Sequence, residues 1–292
     1  MGTIVVGVDG SKEAGLALRW AAHEARLLAA ELTVVHIWQP LDFAVPAGPL
    51  SVPAISFGSD LEKDAAQVLE NALAETADDV EGIDVDTRLL DGSVAGSLVE
   101  VARGAELLVV GSRGRGGVRG LLLGSVSQQC AHHTTCPLVV VREPAVTSGD
   151  ERQTIVVGVD GSPGSEAALY WALAEAERRG VDVLALHAWS FPATASIGYM
   201  PSASVDAIKK AATTTLDDVV RRASARYRSV TCEQVVANGP AARALVEAAQ
   251  GAALLVVGTR GHGGFAGLLL GSVGQQCAHH APCPIVIVPS VG

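Results

Sequence analysis

Two glycine-rich stretches hold the residues best suited to chemistry. Leu107 to Val126 reads LLVVGSRGRGGVRGLLLGSV, and Leu254 to Val273 reads LLVVGTRGHGGFAGLLLGSV. Both space their glycines alike: Gly111, two residues, Gly114, nine residues, Gly124-Ser125, matched by Gly258, Gly261 and Gly271-Ser272. Glycine permits positive φ and lets backbone N–H groups come close to an oxyanion. A Gly-Ser pair opening a helix adds free N–H groups, a hydroxyl and the positive end of the helix dipole. An apolar strand, a glycine loop and a helix start therefore make a phosphate cradle. Ser112, Arg113, Arg115, Gly116, Gly117 and Val126 complete the first cradle. Thr259, Arg260, His262, Gly263, Gly264 and Val273 complete the second. Arg113 and Arg260 are the candidates for phosphate contact, the alternative being a solvated loop arginine.

Familiar nucleotide signatures do not fit. A P-loop needs GxxxxGK[ST], and neither stretch contains lysine. A GxGxxG reading from Gly114 reaches Gly116 and then meets Arg119; from Gly261 it reaches Gly263 and then Ala266. The remaining polar punctuation is Asp9 or Asp160, each ending a VGVD run behind Gly7-Val8 or Gly158-Val159. If the first and fourth strands are neighbours, this carboxylate faces the glycine loop across a crevice at the sheet edge. There it can hydrogen-bond a ribose hydroxyl or help hold Mg²⁺ near phosphates. The plainer alternative is an Asp at the entry of the first helix. Its coincidence with a glycine loop in both halves favours the ligand reading.

The elements that must position these groups are written twice. IVVGVDGS occurs at Ile4 and again at Ile155, an offset of 155 − 4 = 151, which Trp20/Trp171, His36/His187 and Trp38/Trp189 keep. Farther on, Gly111/Gly258 and Cys136/Cys283 give 258 − 111 = 147, so the second copy lacks four net residues between Trp38 and Asp91. A repeat this long is a duplicated domain, with expected domains at 1–143 and 154–292 and a linker at 144–153. In each copy apolar runs alternate with helical patterns, as in a parallel α/β sheet. In the first copy, strands are expected at Thr3–Val8, Leu32–Trp38, Ile83–Leu89, Glu106–Val110 and Pro137–Arg142. Helices are expected at Lys12–Ala30, Asp60–Val80, Val94–Ala102 and Ser125–His133, with Ser11 and Ser125 as N-caps. In the last of these, Val126, Gln129, Cys130 and His133 share one face. Two long Pro-containing segments, Gln39–Ser59 and Ser190–Ala203, follow the second strands and suit a nucleotide lid or a partner surface.

Composition narrows the class. The chain of 292 residues is 49% apolar and only 4% aromatic, so its cores must be aliphatic. A net charge of −10 argues against nucleic acid or an anionic membrane as main partner. There is no signal-peptide pattern and no run of roughly 20 apolar residues. Five cysteines, an odd number, do not read as a disulfide framework. A cytoplasmic protein is the expectation.

Other residues read as structural. Cys130-x-His132-His133-x2-Cys136 recurs as Cys277-x-His279-His280-x2-Cys283, but each run spans a helix end and a strand start, which opposes a closed metal site. His36 and His187 read as satisfied polar groups, and the four tryptophans as packing anchors. No nucleophile–base–orienter set, HExxH or paired carboxylates emerge. No catalytic residue is assigned, and a binding module with at most slow turnover is expected.

VGVDGS, LTVVHIW at the second strand and G-x2-G-x9-G-S before the last helix resemble the universal stress protein family, in its tandem ATP-binding form. The resemblance covers nearly the whole chain, twice. It implies an α/β fold of two open-sheet domains, each a five-stranded parallel sheet of order 3-2-1-4-5 with helices on both faces. It implies ATP at the carboxyl edge of each sheet, with Mg²⁺ as a possible companion. Asp9 and Asp160 would meet ribose or phosphate, and the backbone at Ile37 and Ala188 would lie beside adenine. Gly111, Gly114, Gly124, Ser125 and Val126, and Gly258, Gly261, Gly271, Ser272 and Val273, would hold phosphates and ribose. The resemblance also implies that Pro137–Arg142 pairs with Pro284–Pro289 inside one chain, and homodimers are open to it. A nucleotide-dependent stress-response module is thus expected; a slow ATPase or phosphotransferase, or a nucleotide-independent scaffold, are the alternatives. His262 in place of Arg115, and the small Ala188, suggest that the second site differs in affinity.

Overall fold

The computed structural model describes residues 2–39, 58–115, 123–142, 154–190, 202–261 and 270–290. Gly116, Gly117, His262, Gly263, Gly264, the expected linker and most of the two Pro-containing segments lie outside the described residues.

The first half runs β1 (Thr3–Gly7), α1 (Lys12–Leu28), β2 (Glu31–Trp38), α2 (Gly58–Glu75), α3 (Ala77–Val80), β3 (Val85–Asp91), α4 (Val94–Val101), β4 (Leu107–Gly111), α5 (Ser125–His133) and β5 (Leu138–Val141). The second runs β6 (Ile155–Gly158), α6 (Pro163–Arg179), β7 (Val183–Trp189), α7 (Ser202–Ser224), β8 (Cys232–Asn238), α8 (Ala241–Ala248), β9 (Leu254–Gly258), α9 (Ser272–His280) and β10 (Ile285–Val288). The expected alternation of strand and helix is present in both halves.

Three expectations need correction. The helix expected over 60–80 breaks at Thr76, whose buried hydroxyl donates to Ala72 O at 2.8 Å, leaving α3 as a separate turn. β3 begins two residues late because Gly82, at φ +77°, turns the chain and Ile83 N–H still closes onto Val80 O. Ser125 is not an N-cap: Gly124 takes that place with extended backbone, and Ser125 is the first helical residue. Of the four residues expected to share a face of α5, Cys130 is the buried one, and Ser127 and Ala131 are buried with it. Ser11 does cap α1, accepting Ala14 N–H at 3.2 Å.

All the strands form one ten-stranded sheet, ordered β3-β2-β1-β4-β5-β10-β9-β6-β7-β8. Each half keeps the parallel order 3-2-1-4-5, and the halves join where β5 meets β10 antiparallel. Val139 pairs with Val286, Leu138 with Ile287 and Val140 with Ile285. Because 286 − 139 = 147 is the repeat offset, equivalent residues face each other across a pseudo-twofold axis. β4, β5, β9 and β10 are buried at every position but the last glycines, which explains their unalternating aliphatic sequences. The outer strands β3 and β8 are largely half-buried or exposed.

Two apolar layers cover the sheet, and each runs through both halves. One packs α1, α2, α6 and α7 on one face; the other packs α4, α5, α8 and α9 on the opposite face. Burial on this scale is the main favourable term, about 25 cal/mol per Å² of apolar surface.

Polar groups also tie the halves. Arg142, just past β5, donates to Ala278 O and, at 3.1 Å, to His279 O, satisfying carbonyls at the end of α9. On the other face Glu24 of α1 and Glu175 of α6, equivalent by 175 − 24 = 151, are both fully buried. Arg179 pairs with both and lies 5.8 Å from the Trp20 ring. Arg178 adds a second cation to Glu175 at 2.6 Å. Glu24 Oε1 is buried with no donor in reach. Burial, and then the neighbouring Glu175, push the Glu24 carboxyl up to about 8, so it keeps its proton at neutral pH.

Candidate functional site

β1 and β4 are parallel neighbours, so their carboxyl ends open on one edge. The chain leaves β1 through Val8, whose N–H still bonds Val35 O at 2.9 Å, and delivers Asp9 to that edge. It leaves β4 at Gly111 and enters the glycine loop. The two meet through one carboxylate. Asp9 Oδ1 accepts the N–H of Ser11 at 3.0 Å, and Oδ2 accepts the N–H of Arg115 at 2.9 Å. Asp9 therefore turns the chain into α1, as the helix-entry reading expected, and also braces the start of the glycine loop.

Close approach explains two loop glycines. A Cβ on Gly114 would overlap Asp9 Oδ2, and one on Gly111 would lie 2.9 Å from the Glu13 carbonyl carbon. The second half repeats this. A Cβ on Gly261 would overlap Asp160 Oδ2, and one on Gly258 would lie 2.6 Å from the Gly164 backbone. Asp160 Oδ1 accepts from both Ser162 N–H, at 3.0 Å, and the Ser162 hydroxyl, at 2.6 Å.

Between strand ends and loop lies a cavity of about 460 Å³ in the first half. Gly7, Val8, Asp9, Ile37, Gly111, Arg113, Gly114, Arg115, Gly124, Ser125 and Val126 line it. Ser112 does not: it is buried behind the loop, donating its N–H to Val141 O and accepting Gly124 N–H, each at 2.7 Å. The equivalent cavity in the second half is about 140 Å³. Gly158, Val159, Asp160, Ala188, Gly258, Thr259, Arg260, Gly261, Gly271, Ser272 and Val273 line that one.

Each cavity has an apolar floor that was not singled out from the sequence. Val35, Val94, Leu98, Val110 and Leu123 supply it in the first half. Leu186, Ala241, Leu245 and Val257 supply it in the second. A signal existed: Val94 and Leu98 reappear as Ala241 and Leu245 at the 147-residue offset, four apart on a helix. The small strand-end glycines make room for those leucines, since a Cβ on Gly7 would come within 3.1 Å of Leu98.

Charges around the two cavities differ. Arg113 is not a free loop cation: its guanidinium pairs with Glu13 at 2.7 Å. Gly164 stands where Glu13 stands in the first half, 164 − 13 = 151, and among the described residues no carboxylate pairs with Arg260. His36 is satisfied as expected, its Nδ1 2.7 Å from Val8 O beneath the site.

The Cys/His runs do not converge. Cys130 and Cys136 are buried while His133 is exposed. Burial pushes the thiols of Cys130, Cys277 and Cys283 up to about 12, and raises that of Cys136. Such thiols stay protonated and are poor metal ligands. Among the described residues no group of three His, Cys, Asp or Glu side chains could hold a metal ion. None of the described helices is long and apolar enough to cross a membrane.

A tandem α/β sheet with a strand-end carboxylate packed against a loop glycine in each half defines a class, and sequence comparison names it. The family model for the universal stress protein family matches residues 1–142 and 151–289. A universal stress protein of Mycolicibacterium smegmatis is 35% identical over 287 residues, covering 98% of this chain and 96% of that protein. Universal stress protein Rv2623 of Mycobacterium tuberculosis is 37% identical over 290 residues, covering 97% and 95%. In fold, a universal stress protein from Archaeoglobus fulgidus aligns over 99% of this chain and 96% of its own with a TM-score of 0.68, at 16% identity. The chain belongs to the universal stress protein family.

Proposed function

We propose that this chain binds one ATP in each half and uses occupancy to control contacts with a protein partner during stress. The observation that carries the reading is the repeated juxtaposition of Asp9 with Gly114, and of Asp160 with Gly261, above an apolar cavity. In this reading the floor of Val35, Ile37 and Leu98 receives adenine, and Asp9 meets the ribose. The glycine loop and the start of α5, with Gly124, Ser125 and Val126, receive the phosphates. The second half offers Ala188, Asp160 and the start of α9 in the same roles. Mg²⁺ enters as a companion of the phosphate oxygens, since the described residues offer no carboxylate cage of their own.

Binding fits the chemistry better than turnover. Asp9 already accepts two backbone N–H groups, one on each oxygen, which leaves it poorly placed to take a proton from water. Calorimetric titration of the full chain with ATP and Mg²⁺ tests the proposal. Two equivalents should bind per chain, falling to one in Gly114→Ala or Gly261→Ala. Absence of binding would overturn it.

A further inference from the structure

The two sites share a plan but differ at one position in the first turn of the helix after the strand-end Asp. Glu13 is the second residue of α1, and Gly164 is the second residue of α6. Glu13 has two effects in the first site. Its carboxylate holds the Arg113 guanidinium at 2.7 Å, with the Glu side chain only 19% exposed, so an incoming phosphate must compete for that cation. Its side chain also occupies the space between helix and loop.

Gly164 has neither effect. A Cβ there would stand 2.6 Å from the Arg260 carbonyl oxygen, so the loop backbone rests directly on α6. Ser162 Oγ, which donates to Asp160 Oδ1, also lies 3.3 Å from that same carbonyl, a contact not matched between Ser11 and Arg113 among the described residues. Arg260, which lines the second cavity, is held by no carboxylate among the described residues.

We infer that the residue at this position makes the two sites unlike in what they read: the first, with Arg113 held by Glu13, is indifferent to phosphate number, and the second, with Arg260 held by no described carboxylate, selects multiply phosphorylated nucleotides. Resting on the nucleotide reading above, it assigns Glu13 as a specificity-determining residue. In the second site a phosphate chain meets Arg260, which lines the cavity, without a carboxylate to displace, so each added phosphate gains a charge-assisted contact. In the first site those contacts are partly taken by Glu13, so added phosphates gain little.

The test compares ATP with AMP at each site by calorimetry on the full chain. Gly261→Ala reports the first site and Gly114→Ala the second. The ratio of AMP to ATP dissociation constants should be about tenfold larger at the second site, the scale of one charge-assisted contact. Glu13→Gln, which keeps the side chain but frees Arg113, should raise the ratio at the first site severalfold without abolishing AMP binding. Because that variant is read in the otherwise native chain, it stands even if a glycine variant fails to fold. Equal ratios at both sites, unmoved by Glu13→Gln, overturn the inference while leaving the nucleotide reading intact. Failure of the native chain to bind either nucleotide overturns both.

Discussion

Asp9 Oδ2 accepts the backbone N–H of Arg115 at 2.9 Å, joining the end of β1 to the middle of the glycine loop across 106 residues of sequence. The bond fixes the described start of the loop, Gly111 to Arg115, against the end of β1. If the loop receives nucleotide as proposed, a start held in this way loses less conformational freedom on binding.

Removing that brace should therefore affect ligand more than fold. Asp9→Ala loses two charge-assisted hydrogen bonds in a partly exposed setting, a stability cost of about 1–3 kcal/mol. ATP affinity at the first site should fall about tenfold or more, with the second site unchanged. Urea unfolding and calorimetry check the two halves of this statement, and native ATP affinity at the first site would contradict it.

The Glu24–Glu175 pair predicts a pH dependence. Glu24 keeps its proton to about pH 8 in the folded chain, far above the ordinary carboxylate range it has when unfolded. Between those values the folded state binds the extra proton, so this group's contribution to stability is lost as pH rises towards 8. Glu175 goes the other way: despite its burial, Arg179 first and then its hydrogen bonds to Arg179, Glu24 and Arg178 hold it below the usual range. His23, lowered chiefly by burial and then by Arg179 and Arg26, matters only at acid pH. Glu24→Gln resembles the protonated state and cannot lose that proton. Urea midpoints at pH 6 and pH 9 should therefore differ less in the variant than in the native chain. An identical difference in both would rule out the proton retained on Glu24.

Ala29 ends α1 in a left-handed conformation, φ +49°, which costs a side-chain-bearing residue about 1–2 kcal/mol. Its equivalent in the second half is Gly180 at φ +68°, where no such cost arises. Ala29→Gly should stabilise the chain by up to about 1 kcal/mol, after the extra freedom glycine gains when unfolded. A lower melting temperature in that variant would contradict this account of the α1 terminus.

Much of this was legible in sequence because it is local or repeated. IVVGV and LLVV announce strands covered on both faces, and the offset of 151 places Asp160 where Asp9 is. The glycine spacing located the loop, and the cavity lining gathers the residues it marked around Asp9. What escaped notice depends on residues far apart in the chain. Glu24 reads as an ordinary polar position on an amphipathic helix, and only the pseudo-twofold joint at Val139 and Val286 turns it inward against Glu175. Arg113 reads as a free loop cation until α1 brings Glu13 beside it. Ser125 has the side chain of a cap, but the Gly124 N–H binds Ser112 O at 2.7 Å, starting the helix one residue earlier than a serine cap would.

The central claim is that both halves hold ATP, and the most direct measurement is of what the protein carries. Full-length chain purified rapidly at low temperature, then denatured by heat, should release adenine nucleotide into the supernatant, with ATP the main species by ion-exchange chromatography. The Gly114→Ala/Gly261→Ala double variant, purified in parallel, should release little. No adenine nucleotide from the native chain, together with none bound when millimolar ATP is added back, would contradict the account.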